Sequence, residues 1–144
     1  MSVAYADIPP GVAGDFYKAV AALIPAAVKV YVGAVPATPT FPYAVLWGSL
    51  GDEVSESLAD VPDELRMNLR VTYVGETLAS VGWVAGKVRP ALNRARPYVP
   101  GWWVGGGLRQ SSLMDVQSDY SVTLISGRNP VYAVDEFALV ADKL

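Results

Sequence analysis

The stretch LRMNLRVTYVGETLASVGWVAGKVRPALNRAR, from Leu65 to Arg96, changes its hydrophobic period at Gly75. Before Gly75, apolar and polar residues alternate, which predicts a long strand with one apolar and one solvated face. After Gly75, apolar residues follow the i, i+3, i+4, i+7 spacing of a helix that packs on a core. These residues are Leu78, Val81, Val84, Ala85, Val88, Ala91, Leu92 and Ala95. A long strand that leads directly into an amphipathic helix indicates a small domain built from sheet and helix.

The other apolar segments predict a second helix and several more strands. Asp15 is a candidate N-cap for a helix that Pro25 ends. Strand-like patterns occur at residues 28–32, 43–47, 102–104, 116–125 and 131–140. In the last of these the alternation slips at Asp135 and Glu136, which predicts a β-bulge or a break. We therefore expect an α+β fold with a single mixed, mainly antiparallel sheet and two main helices packed on it.

The length predicts one domain over residues 1–144, large enough to bury its own core. Residues 1–13 are interpreted as an irregular N-terminal arm, and the three prolines between residues 33 and 42 predict a connecting arm. Residues 48–64 are acidic and longer than an ordinary connection. We expect them to form a mobile loop that becomes ordered on assembly.

Histidine and cysteine are both absent from the sequence. Their absence excludes thiol nucleophiles, Ser-His-Asp triads, zinc fingers and imidazole metal sites. The glycine run at residues 105–107 lacks the Lys-Ser/Thr ending of a phosphate loop. Asp52 and Glu53 could in principle serve as the two carboxylates of a glycoside hydrolase. Clustered acids on a polar loop, however, are usually only solvated. We expect no enzymatic activity and no catalytic, cofactor or metal site.

The N-terminal residues contain no basic stretch followed by a long apolar run, so we expect no signal peptide. The most apolar window, residues 17–37, is interrupted by lysines and prolines. We therefore expect no membrane span and synthesis in the cytosol.

The net charge of −3 is unevenly distributed. Six acids and no base lie between residues 50 and 65: Asp52, Glu53, Glu56, Asp60, Asp63 and Glu64. Bases gather toward the end of the predicted long helix: Lys87, Arg89, Arg94 and Arg96. Two interpretations remain open, namely solvated surfaces or an acidic and a basic patch that meet between neighbouring copies.

Three tryptophans have unusual positions. On a helical wheel Trp83 lies opposite the apolar stripe, together with Lys87 and Arg94, as expected for a surface that faces a partner. Alternatively, another part of the chain, such as the proline-rich arm, covers Trp83. Trp102 and Trp103 are adjacent and would point to opposite faces of a strand, one into the core and one toward an edge or partner.

The order of these segments resembles the tail terminator proteins of long, non-contractile-tailed bacteriophages. The resemblance rests on the N-terminal helix before VKVYVG, the arm closed by FPYAVLWG, the acidic loop and the block LRVTYVGETLASVGWVAGKVRPAL. The tryptophan-containing segment, DYSVTLI and a C-terminal strand complete it. It implies a virion protein, made in the host cytoplasm, whose copies, commonly six, cap the tail tube, stop its polymerisation and join it to the head connector.

A ring places different patches of each subunit in contact. The resemblance therefore implies interface roles for eight residues: Asp52, Glu53, Glu56, Asp60, Trp83, Lys87, Arg94 and Trp103. The implied partners are further copies of the chain, the tail tube protein and the head-tail connector protein. DNA would pass through the lumen without sequence-specific binding, since the chain is acidic and has no recognition module. The alternatives are a head completion protein and a small ligand-binding domain.

Overall fold

The computed structural model describes residues 3–54, 63–113 and 115–144. Within these ranges, two helices pack on one nine-stranded sheet. The elements are β1 Val3–Ala6, α1 Val12–Leu23, β2 Lys29–Val32, β3 Tyr43–Gly48, β4 Asp52–Val54, β5 Glu64–Gly75, α2 Leu78–Leu92, β6 Trp102–Val104, β7 Arg109–Leu113, β8 Gln117–Ser118 and β9 Val131–Lys143.

The main strand order of the sheet is β1-β2-β3-β5-β9-β6. The pairs β1–β2 and β2–β3 are parallel, and every other pair in the described ranges is antiparallel. β4 pairs with the start of β5, whereas β7 and β8 pair with β9. The prediction of a mixed, mainly antiparallel sheet with two main helices is confirmed.

The centre of the sheet is the antiparallel pair of β5 and β9. All 12 residues of β5 pair with β9 without a register shift. The predicted bulge or break at Asp135 and Glu136 is therefore wrong. Asp135 keeps its place in the alternation, between buried Ala133 and Phe137 and opposite Val71. The alternation in the sequence shows an apparent slip only because a charged residue, Asp135, occupies a core position.

The face of the sheet that both helices cover, here called the covered face, holds the main core. Every second residue of β5 is buried on it: Leu65, Met67, Leu69, Val71 and Tyr73. The side of α2 facing the sheet buries Val81, Val84, Ala85, Val88 and Leu92. Full burial of one such aliphatic side chain contributes about 1.5–3 kcal/mol. The opposite side of the sheet is called the open face.

Local hydrogen bonds fix the start of α2. Thr77 is the N-cap: its side chain accepts from the Ser80 backbone N–H at 3.1 Å, and the Ser80 hydroxyl accepts from the Thr77 N–H at 3.1 Å. A side chain at Gly75 would meet the Ser80 hydroxyl at 2.2 Å, so this close approach requires glycine. Glu76 immediately precedes this cap.

The ends of the helices differ from the sequence expectation. α2 ends at Leu92, so Ala95 lies outside it, and Leu78 is 65% exposed although it follows the apolar spacing. α1 begins at Val12 after the N-cap Gly11, which has φ 87° and no side-chain capping bond. Asp15, the predicted N-cap, lies in the first turn.

Residues 116–125 do not form the predicted strand, because only Gln117 and Ser118 pair with β9. The Asp119 side chain accepts from the Ser121 backbone N–H at 3.1 Å, a turn interaction that competes with strand pairing. The Gly127 N–H donates to the Leu124 carbonyl at 2.8 Å, which closes a second turn at the end of this segment.

Three short strands were not predicted from the pattern. β1 lies within the expected N-terminal arm, and β4 lies within the expected acidic loop. β7 follows the glycine run and has a register shift between Gln110 and Ser112, so the irregularity in this part of the sheet lies in β7, not in β9.

Candidate assembly surfaces

Trp83 and Lys87 are on the side of α2 that faces away from the sheet. Trp83 is 45% exposed, and Lys87, one turn further along the helix, is also exposed. Gly86 lies between them in the sequence, and a side chain at this position would extend into open space. These three residues define the outer α2 surface. The alternative in which the proline-rich arm covers Trp83 is wrong, since that arm lies on the open face.

Arg94 is not on the outer α2 surface as the helical wheel predicted. It follows the end of α2 with a φ of 62°, the left-handed conformation that non-glycine residues seldom adopt. Its backbone N–H donates to the Leu108 carbonyl at 2.8 Å. This hydrogen bond connects the turn after α2 to the residue before β7. The side chain of Arg94 is exposed at that turn.

Arg89 is also absent from the predicted basic helix face, because it reaches the covered face of the sheet. Its Nε and Nη2 donate to the two carboxylate oxygens of Asp135 at 2.6 and 2.9 Å. The hydroxyl of Tyr73 donates to the same carboxylate at 2.6 Å. Asp135 is fully buried, so its charge is compensated by a bidentate guanidinium and a phenol.

Burial raises the pKa of Tyr73 well above its ordinary value of 10.0, and the hydrogen bond to Asp135 adds to the effect. The hydrogen bond to Asp135 also raises the pKa of Arg89. Both donors therefore remain protonated on the buried carboxylate. The hydrogen bonds from Arg89 and Tyr73 thus account for the burial of a charged residue in the core.

The open face carries partly exposed aromatic residues. Trp47 is 37% exposed, its indole N–H donates to the Thr72 hydroxyl at 2.9 Å, and the Arg70 guanidinium lies 5.1 Å from its ring centroid. Arg70 also approaches Glu136 at 4.0 Å. This face therefore combines apolar surface with charges that remain in contact with solvent.

The two adjacent tryptophans separate as the strand pattern predicted. Trp102 packs edge-to-face on Phe16 of the core at 6.5 Å, whereas Trp103 is 50% exposed on the open face. The guanidinium of Arg96 lies 4.4 Å from the Trp103 ring centroid. The packing of one of the pair in the core is confirmed, and an interface role for Trp103 stays a prediction.

The structure describes only part of the predicted acidic loop. Asp52 and Glu53 are exposed residues of β4, and Asp52 lies opposite Arg66 of β5. Glu56 and Asp60 lie outside the described residues. The described part of the acidic segment is thus on the sheet, away from the outer α2 surface.

A groove with a volume of about 810 Å³ lies on the open face between the proline-rich arm and residues 119–125. Its base includes Tyr43, Val74 and Tyr132 from three different strands. Aromatic contacts hold the arm in place: the ring centroid of Tyr43 lies 5.3 Å from that of Phe41, in a tilted arrangement, and 5.2 Å from that of Tyr31, edge-to-face. The Thr40 backbone N–H also donates to the Tyr31 hydroxyl at 2.9 Å. We call this feature the arm groove.

The lining of the arm groove is mainly apolar and includes two carboxylates, Glu76 and Asp119. Val122 and Ile125 line its outer wall, and Ile125 is fully exposed. No motif in the sequence indicated this groove, because it arises where a loop before β3 meets a loop before β9.

Within the described ranges, no group of three or more metal-ligating side chains is close enough to hold a metal ion. In the same part of the chain, no helix has the length and apolar character needed to cross a membrane.

No protein-family model matches the chain, and no curated protein matches it. Among solved structures, 17 chains match. One belongs to a structure described as the virion of a native gene transfer agent (GTA) particle, with a TM-score of 0.55 and 16% sequence identity. The alignment covers 89% of this chain and 93% of the other. At this identity the likeness establishes a shared fold.

Proposed function

We propose that this chain is a structural virion protein that forms a ring, of six copies, at the head-proximal end of a phage tail tube. The ring stops tube polymerisation and provides the joint to the head connector. The observation that carries the proposal is the fold shared with a virion chain over nearly the whole length of both proteins. The order of sequence segments, which resembles the tail terminator family, gives separate support.

The distribution of exposed residues suits a closed ring. The outer α2 surface, with Trp83 and Lys87, and the open face, with Trp47 and Trp103, lie on opposite sides of the sheet. A ring of identical subunits needs two different, complementary patches on each copy. No enzymatic role is proposed, and DNA would touch the lumen of the ring only as it passes.

The first test is the mass in solution, measured by light scattering over a range of protein and salt concentrations. A species of about six subunits that salt weakens supports a ring with charge-matched contacts. If the protein alone is monomeric, it should be mixed with tail tubes, which can act as a template. A monomer that also fails to bind tubes contradicts the proposal.

A head completion protein is the related alternative, because it is also a ring component at the same joint. Co-purification distinguishes the two roles. Retention by tail tube protein and not by portal protein supports a terminator. The reverse result assigns the chain to the portal side.

The arm groove favours a second class of function, a small ligand-binding domain. Its volume of about 810 Å³ lies within the range of about 300–1,000 Å³ typical of small-molecule sites. A strictly monomeric protein whose melting temperature rises with a small molecule would support that class. Substitution of Val74→Trp, which fills the groove, should then abolish the rise.

A further inference from the structure

We infer that the arm groove receives the outer α2 surface of a neighbouring copy, with Trp83 inserted between the proline-rich arm and residues 119–125. The inference rests on the ring proposed above and names the contact that would build it. It pairs the largest exposed side chain on α2 with the arm groove, which lies on the opposite side of the same subunit.

Shape and polarity agree between the two surfaces. Trp83 offers a large, rigid, mainly apolar side chain that is already 45% exposed in the single subunit. The groove offers proline, tyrosine and aliphatic side chains, including the exposed Val122 and Ile125. Burial of a tryptophan in such a pocket is the usual anchor of a protein interface, and it would also cover the apolar groove wall.

Charge complementarity favours a second copy over an unrelated apolar ligand. Glu76 and Asp119 both line the groove. Lys87 follows Trp83 by one helical turn and thus lies beside it on the outer α2 surface. When the indole enters the groove, the lysine ammonium meets a described lining that contains carboxylates and no base. An uncharged small molecule would bring no positive charge to this acidic lining.

The contact is heterologous. Because the outer α2 surface and the arm groove lie on opposite sides of one sheet, a subunit cannot fill its own groove. Each copy therefore inserts into the next and receives from the previous one, which generates a ring if the rotation closes.

Disulfide trapping tests the contact directly, since the native sequence contains no cysteine. Gly86→Cys places a thiol between Trp83 and Lys87 at a position with open space. Thr123→Cys places a second thiol on the groove lining. The two single variants, mixed at high concentration with or without tail tubes and oxidised, should form a covalent dimer. The double variant should form a ladder of covalent multimers.

The matched control replaces Thr123→Cys with Lys18→Cys, an exposed position on α1. The Gly86 and Lys18 variants should not cross-link above the level of either variant alone. If this control pair cross-links as efficiently as Gly86 and Thr123, the inferred contact is wrong. It is equally wrong if oligomers form and the Gly86–Thr123 cross-link does not, although the ring itself would then stand.

A charge exchange tests the same contact without cysteines. Trp83→Ala should weaken association about 30-fold, as for a buried interface anchor. Lys87→Glu and Glu76→Lys should each weaken it, and the double variant should restore it. Failure of the double variant to recover, while all variants melt at the temperature of the native protein, contradicts the pairing. Cross-linking without any capping of tubes would retain the contact and reject the terminator role.

Discussion

The two faces of the sheet are built from the same strands but differ in the burial and the charge contacts of their side chains. On β9, Phe137 and Leu139 point to the covered face and are buried, whereas Val140 on the open face is 42% exposed. The charges differ in the same way: Arg89 holds Asp135 through two short bonds in the core, and Arg70 approaches Glu136 at 4.0 Å near solvent. The covered face therefore carries stability, and the open face leaves apolar and charged groups available for contacts.

The largest expected difference between the faces is in packing. Phe137→Ala should lower the free energy of unfolding by about 3–5 kcal/mol, because it removes a buried ring and leaves a cavity. Val140→Ala, on the same strand but on the open face, should cost less than about 1 kcal/mol. Chemical denaturation measures both. Equal losses would contradict the assignment of the core to one face.

The ion pair on the covered face should contribute more to the free energy of unfolding than the ion pair on the open face. Arg89→Ala leaves the buried carboxylate of Asp135 with Tyr73 alone and should cost about 2–4 kcal/mol of unfolding free energy. Arg70→Ala is the matched control on the open face and should cost at most about 1 kcal/mol. A similar cost for the two variants in urea denaturation would show that the Asp135 charge is not stabilised mainly by Arg89.

The phenol of Tyr73 gives the covered face a pH dependence. In the folded protein its pKa lies above its ordinary value of 10.0, so the unfolded chain loses the proton first. The contribution of Tyr73 is thus complete below pH 10 and is lost as the pH rises above that value. Tyr73→Phe should cost about 1–2 kcal/mol at neutral pH and make the alkaline decline less steep. An unchanged decline of stability at alkaline pH in this variant would argue against the assignment.

The smallest effect on stability is expected for the outer α2 surface. Trp83→Ala and Lys87→Glu should each change the free energy of unfolding by no more than about 0.5 kcal/mol, since both side chains are exposed and outside the core. Both should nevertheless impair assembly, as measured by light scattering or by retention on tail tubes. Normal assembly of both variants would remove these residues from the interface.

The sequence predicted the elements whose pattern arises from one-sided burial. β5 and α2 alternate or repeat against a single core, and their positions agree with the structure to within a few residues at the ends. The predicted strand at residues 116–125 is wrong. The alternation of Tyr120 and Val122 with polar residues is typical of a half-buried strand, but both side chains are exposed. Local turn bonds from Asp119 decided its conformation.

The site was less accessible to sequence reasoning. Trp83 and Lys87 were identified correctly as exposed helix residues, since helical spacing fixes which side chains face away from the core. The pattern at Asp135 and Glu136 predicts a β-bulge or a break, because the partners of Asp135, Tyr73 and Arg89, are 62 and 46 residues distant and no pattern links them. The arm groove depends on two distant loops that meet over the sheet, which requires the tertiary structure.

The most direct test of the proposed role is a tail-tube polymerisation assay followed by electron microscopy. A phage tail tube protein is allowed to polymerise, and the purified chain is added during growth. The proposal predicts that elongation stops and that a ring of additional density appears at one end of each tube. Continued elongation at an unchanged rate, with no density at either end, would contradict a terminator function.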